Sequence, residues 1–419
     1  MVRLLTRWLA VALLLLAVLP ASAGSTSAFT LSAQSYPGSR DRQYKVYVPD
    51  GLSGPAPMVM VLHGCQQTND DVLRDWGLVA AADRYRFILV APFITSYDGL
   101  RNTNCWGFWL DQHRHEGRGE PEDLHQIGRQ VESRFGIDPK RRYVTGLSSG
   151  GAMAVVLSVT HNEYFAAAAS ASGLPYGEDA ASVSFSGCPG SATFHAVSQV
   201  VAAMRAERNH TYPIPLMVLQ NNKDCTVIQP AGRNIRDAQL QLDGDAAHNT
   251  PARAQARQRP CTPVFSASYE CQQIFYTGDA QPDSRSLVET VFFDGPIDTP
   301  NTTDTNHGHY WIGGQDGRDG PWALQKGPSY PDIVWEFFSR HAMDTSPPWP
   351  HPACNPVNAA PGAHVGAGRA VAGGYFNLRA LSTGDMRDIG FAWDFYFSQV
   401  RLFEGTAGRW FAQPPAGCT

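Results

Sequence analysis

The chain has 419 residues, of which 43% are hydrophobic and 17% charged, enough apolar material for one large core and a smaller second unit, and too much for a disordered protein. Its 38 acidic and 33 basic residues leave a formal charge of -5 with no lysine or arginine run, so nothing in it suggests a nucleic-acid surface. Eight cysteines, read together with the N-terminus described next, point to disulfides, and no spacing among them resembles a zinc site.

Arg3 and Arg7 precede an apolar run from Trp8 to Leu19, then Pro20 and Ala21-Ser22-Ala23. This predicts a secretory signal at 1–23 cleaved after Ala23, since the run is too short to cross a bilayer of about 30 Å. The mature chain is therefore expected outside the cytoplasm and off the membrane. Tyr44 to Val48 alternates as a strand, and Pro57 to Leu62 is a nearly continuous apolar run, the mark of a strand buried on both faces. It ends in His63-Gly64-Cys65-Gln66. A helix is predicted over 71–82 and a second buried strand from Phe87 to Pro92, and this strand–helix–strand order implies a parallel sheet with its chemistry at the strand C-termini.

The loop Asn104-Cys105-Trp106-Gly107-Phe108-Trp109 is unusually aromatic, and reads either as a local core or as a wall of the substrate site. An amphipathic helix from Glu122 to Phe135 leads into a strand at Arg142 to Thr145. Gly146-Leu147-Ser148-Ser149-Gly150 follows at once, and a helix of small residues runs on from Gly151. A serine in such a strand–turn–helix stands exposed at a helix N-terminus, where its hydroxyl can attack a carbonyl and the Ser149 amide can meet the oxyanion.

Beyond this elbow, Ala166 to Ala171 predicts another strand, and 175–213 an excursion with a helix around Val197 to Arg208. Pro215 to Gln220 returns to the sheet and delivers Asn221-Asn222-Lys223-Asp224. Cys261 and Cys271 close a small loop, Glu289 to Phe293 is the last expected core strand, and Gly308-His309-Tyr310-Trp311 comes after it. Asp332 to His341 predicts a closing helix. The prolines of 346–353 suggest a linker, which divides the chain into a catalytic unit at 24–345 and a small aromatic C-terminal module at 354–419.

A serine nucleophile needs a base, and the base an orienting carboxylate. Asp224 and His309 each follow a predicted strand and fit these roles. Asp224 also reads as a turn former, and His307 competes with His309. The second oxyanion donor is expected from the backbone N–H of Cys65 in the His63-Gly64-Cys65 loop, with Trp106, Trp109 and Trp311 as substrate-binding aromatics.

LHGCQQTNDD, NCWGFW, GLSSGGAMA and GHYWIGG, in that order, resemble the motifs of the secreted poly(3-hydroxybutyrate) depolymerase and related esterase family. The resemblance implies an α/β-hydrolase fold with a mostly parallel central sheet, a Ser148–Asp224–His309 triad and an oxyanion hole at Cys65 and Ser149. It implies hydrolysis of polyester, or of feruloyl or acetyl groups on polysaccharide, with poly(aspartic acid) amide hydrolysis as a further activity, and no cofactor or metal. The chain departs from the family where Gln220-Asn221 replaces a His–Gly pair, and where the aromatic loop reads CWGFW rather than CWNWF. The segment Ala363-His364-Val365-Gly366-Ala367-Gly368-Arg369-Ala370 is similar to a module appended to secreted bacterial depolymerases. The alternative of another class is a non-catalytic binding protein on a hydrolase scaffold. Among the connectivities that eight cysteines allow, the expected pairs are Cys65 with Cys105, Cys188 with Cys225, Cys261 with Cys271 and Cys354 with Cys418.

Overall fold

The computed structural model describes residues 24–94, 104–184, 187–208, 213–244, 249–266, 269–276, 286–297, 307–343, 356–404 and 410–414. The expected signal segment, the proline-rich linker and the Cys354–Cys418 pair lie outside them. Ten strands form one sheet: β1 (Ser25–Leu31), β2 (Arg42–Val48), β3 (Ala56–Leu62), β4 (Ile88–Pro92), β5 (Ile137–Leu147), β6 (Ala167–Ala171), β7 (Leu216–Asn221), β8 (Gln255–Pro260), β9 (Cys271–Tyr276) and β10 (Val288–Phe293). Their order is β1-β2-β4-β3-β5-β6-β7-β10-β9-β8. The six strands from β4 to β10 run parallel, and β1 and β2 at one edge and β9 and β8 at the other are antiparallel.

Strand alternation explains why the predicted apolar runs are continuous. Met58, Met60 and Leu62 of β3 enter one hydrophobic layer with α3 (Gly119–Arg134), α4 (Ser149–Thr160), α5 (Val197–Glu207) and α6 (Pro230–Asp243). Val59 and Val61 enter the opposite layer with α1 (Asn69–Asp75), α2 (Leu78–Tyr85) and α7 (Tyr330–Ser339). A strand covered by helices on both faces has no polar side to show.

Three expectations change. The helix predicted over 71–82 is two helices, because Gly77 takes φ 71° between them and a side chain there would lie 2.4 Å from the Gly313 carbonyl oxygen. The strand at Glu289–Phe293 is not the last, since β9 and β8 extend the sheet beyond it. Their outward Gln and Arg residues gave them the look of a loop. The N-terminal strand β1 was hidden in the same way by its Ser and Thr content and its mostly exposed positions.

Residues 356–404 and 410–411 form two three-stranded antiparallel sheets around a separate small cluster of Ala370, Ala380, Ile389, Ala392 and Leu402. The buried His364 ties this unit together, with Nε2 2.9 Å from the Val400 carbonyl oxygen and Nδ1 accepting from Arg369 Nε at 2.9 Å. The His364-to-Arg369 motif is thus a clasp within the module. No helix among the described residues is long and apolar enough to cross a membrane.

Candidate active site

The elbow forms as its glycines require. β5 runs through Leu147, Ser148 sits at φ 57°, ψ -122°, and α4 starts at Ser149. Such a backbone is strained for a residue with a side chain, and it persists where neighbours over-determine it. Here the Ser148 N–H donates to the Ala171 carbonyl at 3.0 Å, and its own carbonyl accepts from Ala152 N–H at 2.8 Å. A side chain at Gly150 would lie 2.2 Å from the Leu62 carbonyl oxygen, so only glycine lets α4 cross β3 this closely. Ser149 opens the helix, which leaves its N–H among those without an intrahelical partner.

Asp224 follows β7 and is buried. Its Oδ1 accepts from the backbone N–H groups of Thr226 and Val227, both at 2.9 Å, and its Oδ2 lies 2.8 Å from His309 Nδ1. The side-chain amide of Asn221 holds the loops carrying these two residues together. Its Nδ2 donates to the Gly308 carbonyl and to the Tyr310 hydroxyl, both at 3.1 Å. Its Oδ1 accepts from Lys223 N–H at 3.0 Å and Gly295 N–H at 2.9 Å. Gln220 in turn donates to the Val227 carbonyl and accepts from Gly232 N–H. Sequence reasoning marked Gln220-Asn221 only as a departure from the family; the signal for their positioning role was two amides at the end of a buried strand.

Ser148, Ser149, Cys65 and His309 line one cavity of about 320 Å³ with Gly64, Gln66, Gln67, Cys105, Phe108, Trp109, Leu147, Leu174, Ala180, Val183, Thr226 and Trp322. No charged carboxylate, lysine or arginine is among them. The Gly64 N–H is already given to Gln67 Oε1 at 2.9 Å, so Cys65 carries the next amide on this loop. Gln67 is buried and its Nε2 reaches the Pro321 carbonyl at 3.3 Å, anchoring the loop from the far side. The Cys65–Cys105 bond fastens the same loop to the aromatic one, Cys188–Cys225 fastens the 175–213 excursion beside Asp224, and Cys261–Cys271 joins the strands β8 and β9 near their ends.

Of the three tryptophans expected to bind substrate, only Trp109 faces the cavity. Trp106 is fully buried and donates from Nε1 to the His63 carbonyl at 3.0 Å, bracing the end of β3. Trp311 is fully buried, stacked on Trp76 at 4.5 Å and bonded to its carbonyl at 3.1 Å. Both are core, since an indole pinned at N–H and face has nothing left to offer a ligand. Phe108 and Trp322 join Trp109 in the lining, the latter with its ring 6.0 Å from His309, edge to face. Trp322 carries no motif, and only the fold brings it here. His307 is not part of the lining; its carbonyl accepts from Cys225 N–H at 2.9 Å. Among the described residues one group has metal-ligand geometry, Glu122, His125 and His161, and it lies outside this cavity.

A parallel sheet with an elbow serine after β5, an acid after β7 and a histidine beyond β10 defines the α/β-hydrolase class. Residues 42–260, a little more than half of the chain, match the esterase PHB depolymerase family, and the chain belongs to that family. It is 32% identical over 154 residues to poly(3-hydroxyalkanoate) depolymerase C of Paucimonas lemoignei, covering 36% of this chain and 36% of that protein. It is 30% identical over 135 residues to feruloyl esterase B of Talaromyces funiculosus, 32% of this chain and 37% of that one. The chain thus spans little more than a third of the length of these relatives. Among solved structures it is similar to acetyl xylan esterase from Aspergillus awamori, with TM-score 0.49, 16% sequence identity and coverage of 75% of this chain and 99% of that one.

Proposed function

We propose that the chain is an exported serine hydrolase that cleaves ester bonds of a polyhydroxyalkanoate-type polymer through an acyl-enzyme. The observation that carries this reading is the buried Asp224–His309 pair, bonded at 2.8 Å, opening on the same apolar cavity as the elbow serine. Ser148 Oγ attacks the ester carbonyl as His309 Nε2 takes its proton, and the amides of Cys65 and Ser149 receive the oxyanion. His309 then returns the proton to the departing alkoxide, which leaves as the alcohol. A water activated by His309 attacks the acyl-Ser148 carbonyl and regenerates the serine. Asp224 fixes the imidazole tautomer, with Nδ1–H donating to its Oδ2.

The lining supports one substrate class over another. Phe108, Trp109, Leu174, Val183 and Trp322, with no acidic residue, lysine or arginine among the described lining, suit an uncharged ester and offer nothing to neutralise the pendant carboxylates of poly(aspartate). The three disulfides suit an exported protein. Esters of feruloyl and acetyl groups form the second reading, favoured by the aromatic wall and by relatives named for those activities. Purified protein should be assayed on 3-hydroxybutyrate oligomers, methyl ferulate, acetylated xylan and poly(aspartate), beside Ser148→Ala. The hydroxybutyrate ester should turn over fastest, poly(aspartate) not at all, and the variant should be inactive on every substrate. Preference for poly(aspartate), or no hydrolysis by the wild type, overturns the proposal.

A further inference from the structure

Glu122 and His125 lie three residues apart on α3, so they share one helix face. His161 is the C-cap of α4, at the end opposite Ser148 and about 20 Å from it at 1.5 Å per residue. His161 Nε2 lies 3.1 Å from Glu122 Oε2, and His125 Nδ1 lies 3.5 Å from Glu122 Oε1. The two imidazole rings are 4.6 Å apart.

The hydrogen bonds around His161 bear on which of its nitrogens carries the lone pair. Thr160 Oγ1 donates to the Val156 carbonyl at 3.0 Å, so its contact with His161 Nδ1 at 2.9 Å is a bond that Nδ1–H donates. The neutral imidazole then presents a bare Nε2 to the carboxylate. Glu122 accepts from Gln126 Nε2 at 2.8 Å on one oxygen and from Gly117 N–H at 3.2 Å on the other, as an ionised carboxylate does. His125 Nδ1 is buried and makes no hydrogen bond. Two imidazole nitrogens and a carboxylate therefore converge, with His125 Nδ1 left without a hydrogen bond, and a metal ion would satisfy both nitrogens and the carboxylate together.

The spacing fits such an ion. With bonds of about 2.0–2.1 Å, a tetrahedral site has ligand-to-ligand edges of about 3.3–3.4 Å, and each imidazole nitrogen lies near that distance from one of the two Glu122 oxygens, His161 Nε2 at 3.1 Å from Oε2 and His125 Nδ1 at 3.5 Å from Oε1. All three ligand atoms lie within 4.8 Å of one another. Thr160 behind His161 is the outer partner that orients a ligating imidazole. His161 is fully buried, while side-chain exposures of 12% at Glu122 and 21% at His125 leave the fourth position to water. We propose that Glu122, His125 and His161 bind one divalent ion of the zinc class and so clamp α3 to the far end of the nucleophile helix. Two nitrogens and one carboxylate favour zinc or its first-row neighbours over calcium or magnesium.

The test uses the full chain, stripped with a chelator and equilibrated with micromolar zinc. Metal content should reach about one zinc per chain with a rise in Tm, and Glu122→Gln and His125→Ala should each weaken uptake at least about tenfold and abolish that rise. Tm in chelator reports whether each variant folds; should Glu122→Gln not fold, the more exposed His125→Ala carries the comparison. Equal uptake by wild type and His125→Ala, or no uptake by the wild type, overturns the proposal and leaves the group as a plain ion-pair network. Labelling of Ser148 by a fluorophosphonate, unchanged in His125→Ala, separates this result from the fate of the catalytic reading.

Discussion

Asp224 is a turn former and an acid at once: one carboxylate oxygen shapes the turn through Thr226 and Val227, and the other orients His309. The two readings open in the sequence were never exclusive, because a carboxylate has enough lone pairs for both. Of His307 and His309, the fold seats only His309 in the cavity wall, which favours it as the proposed base. His309→Ala should lower kcat/KM by about 10⁴-fold or more, whereas His307→Ala, outside the cavity wall, should stay within about tenfold. Another histidine gives stability a pH dependence. Burial pushes the His63 imidazole down to about 4, with Nδ1 2.8 Å from the Gly64 carbonyl oxygen and Nε2 accepting from Ile94 N–H at 3.2 Å. An unfolded histidine titrates near 6.5, so the unfolded chain takes up the proton first. Stability held above about pH 6.5 should be lost as pH falls to about 4, by up to about 3 kcal/mol. Denaturation at pH 7 and pH 4.5 measures the loss, and His63→Gln should flatten the slope. Tryptophans were the least legible residues, since an indole beside a motif looks the same whether it faces the core, as Trp106 and Trp311 do, or the cavity, as Trp109 does.

At the scale of elements, legibility followed burial. β3, β4, β7 and β10 were plain in the sequence as apolar runs because helices cover both faces of the sheet. The edge strands were not, because Arg259 and Gln273 on β8 and β9 bond to each other across the ladder, a pairing that no periodicity announces. The elbow was legible because its geometry demands glycine two places from the serine on either side. The loop Gly64–Gln67 is different, since short polar turns hold their shape through partners distant in sequence. Its partners are Pro321, Asn104 and the Cys65–Cys105 bond, which spans 40 residues. The double variant Cys65→Ser, Cys105→Ser keeps the backbone amide and removes the fastening. It should lose about 2–4 kcal/mol of stability and at least about tenfold in kcat, read by denaturation and by turnover of a soluble ester. Unchanged kcat with lowered stability would remove the bond from the oxyanion account.

On the scale of the whole molecule, the C-terminal unit keeps a small cluster of its own and exposes several aromatic side chains. Tyr375, Phe376, Tyr396 and Phe397 are each at least 80% exposed, and Trp393 is 63% exposed. Ten aromatics in so short a segment exceeded what it could bury, and that much was legible from composition; which of them face outward was not. We infer that so many exposed aromatics in one small unit serve adhesion to a solid polymer. A chain ending at residue 350 should fold, keep its turnover of a soluble ester, and lose binding to and activity on insoluble polyester film. Unfolding, or loss of soluble-ester turnover, makes the unit structural instead.

The central claim is that the elbow serine is the nucleophile and that its neighbour contributes only a backbone amide. Ser149 Oγ is buried and makes no hydrogen bond, which leaves its hydroxyl without a task. Reaction with a fluorophosphonate followed by peptide mapping should place a single adduct on Ser148, in the wild type and in Ser149→Ala alike, and none in Ser148→Ala. An adduct on Ser149, or labelling that survives Ser148→Ala, would contradict the account.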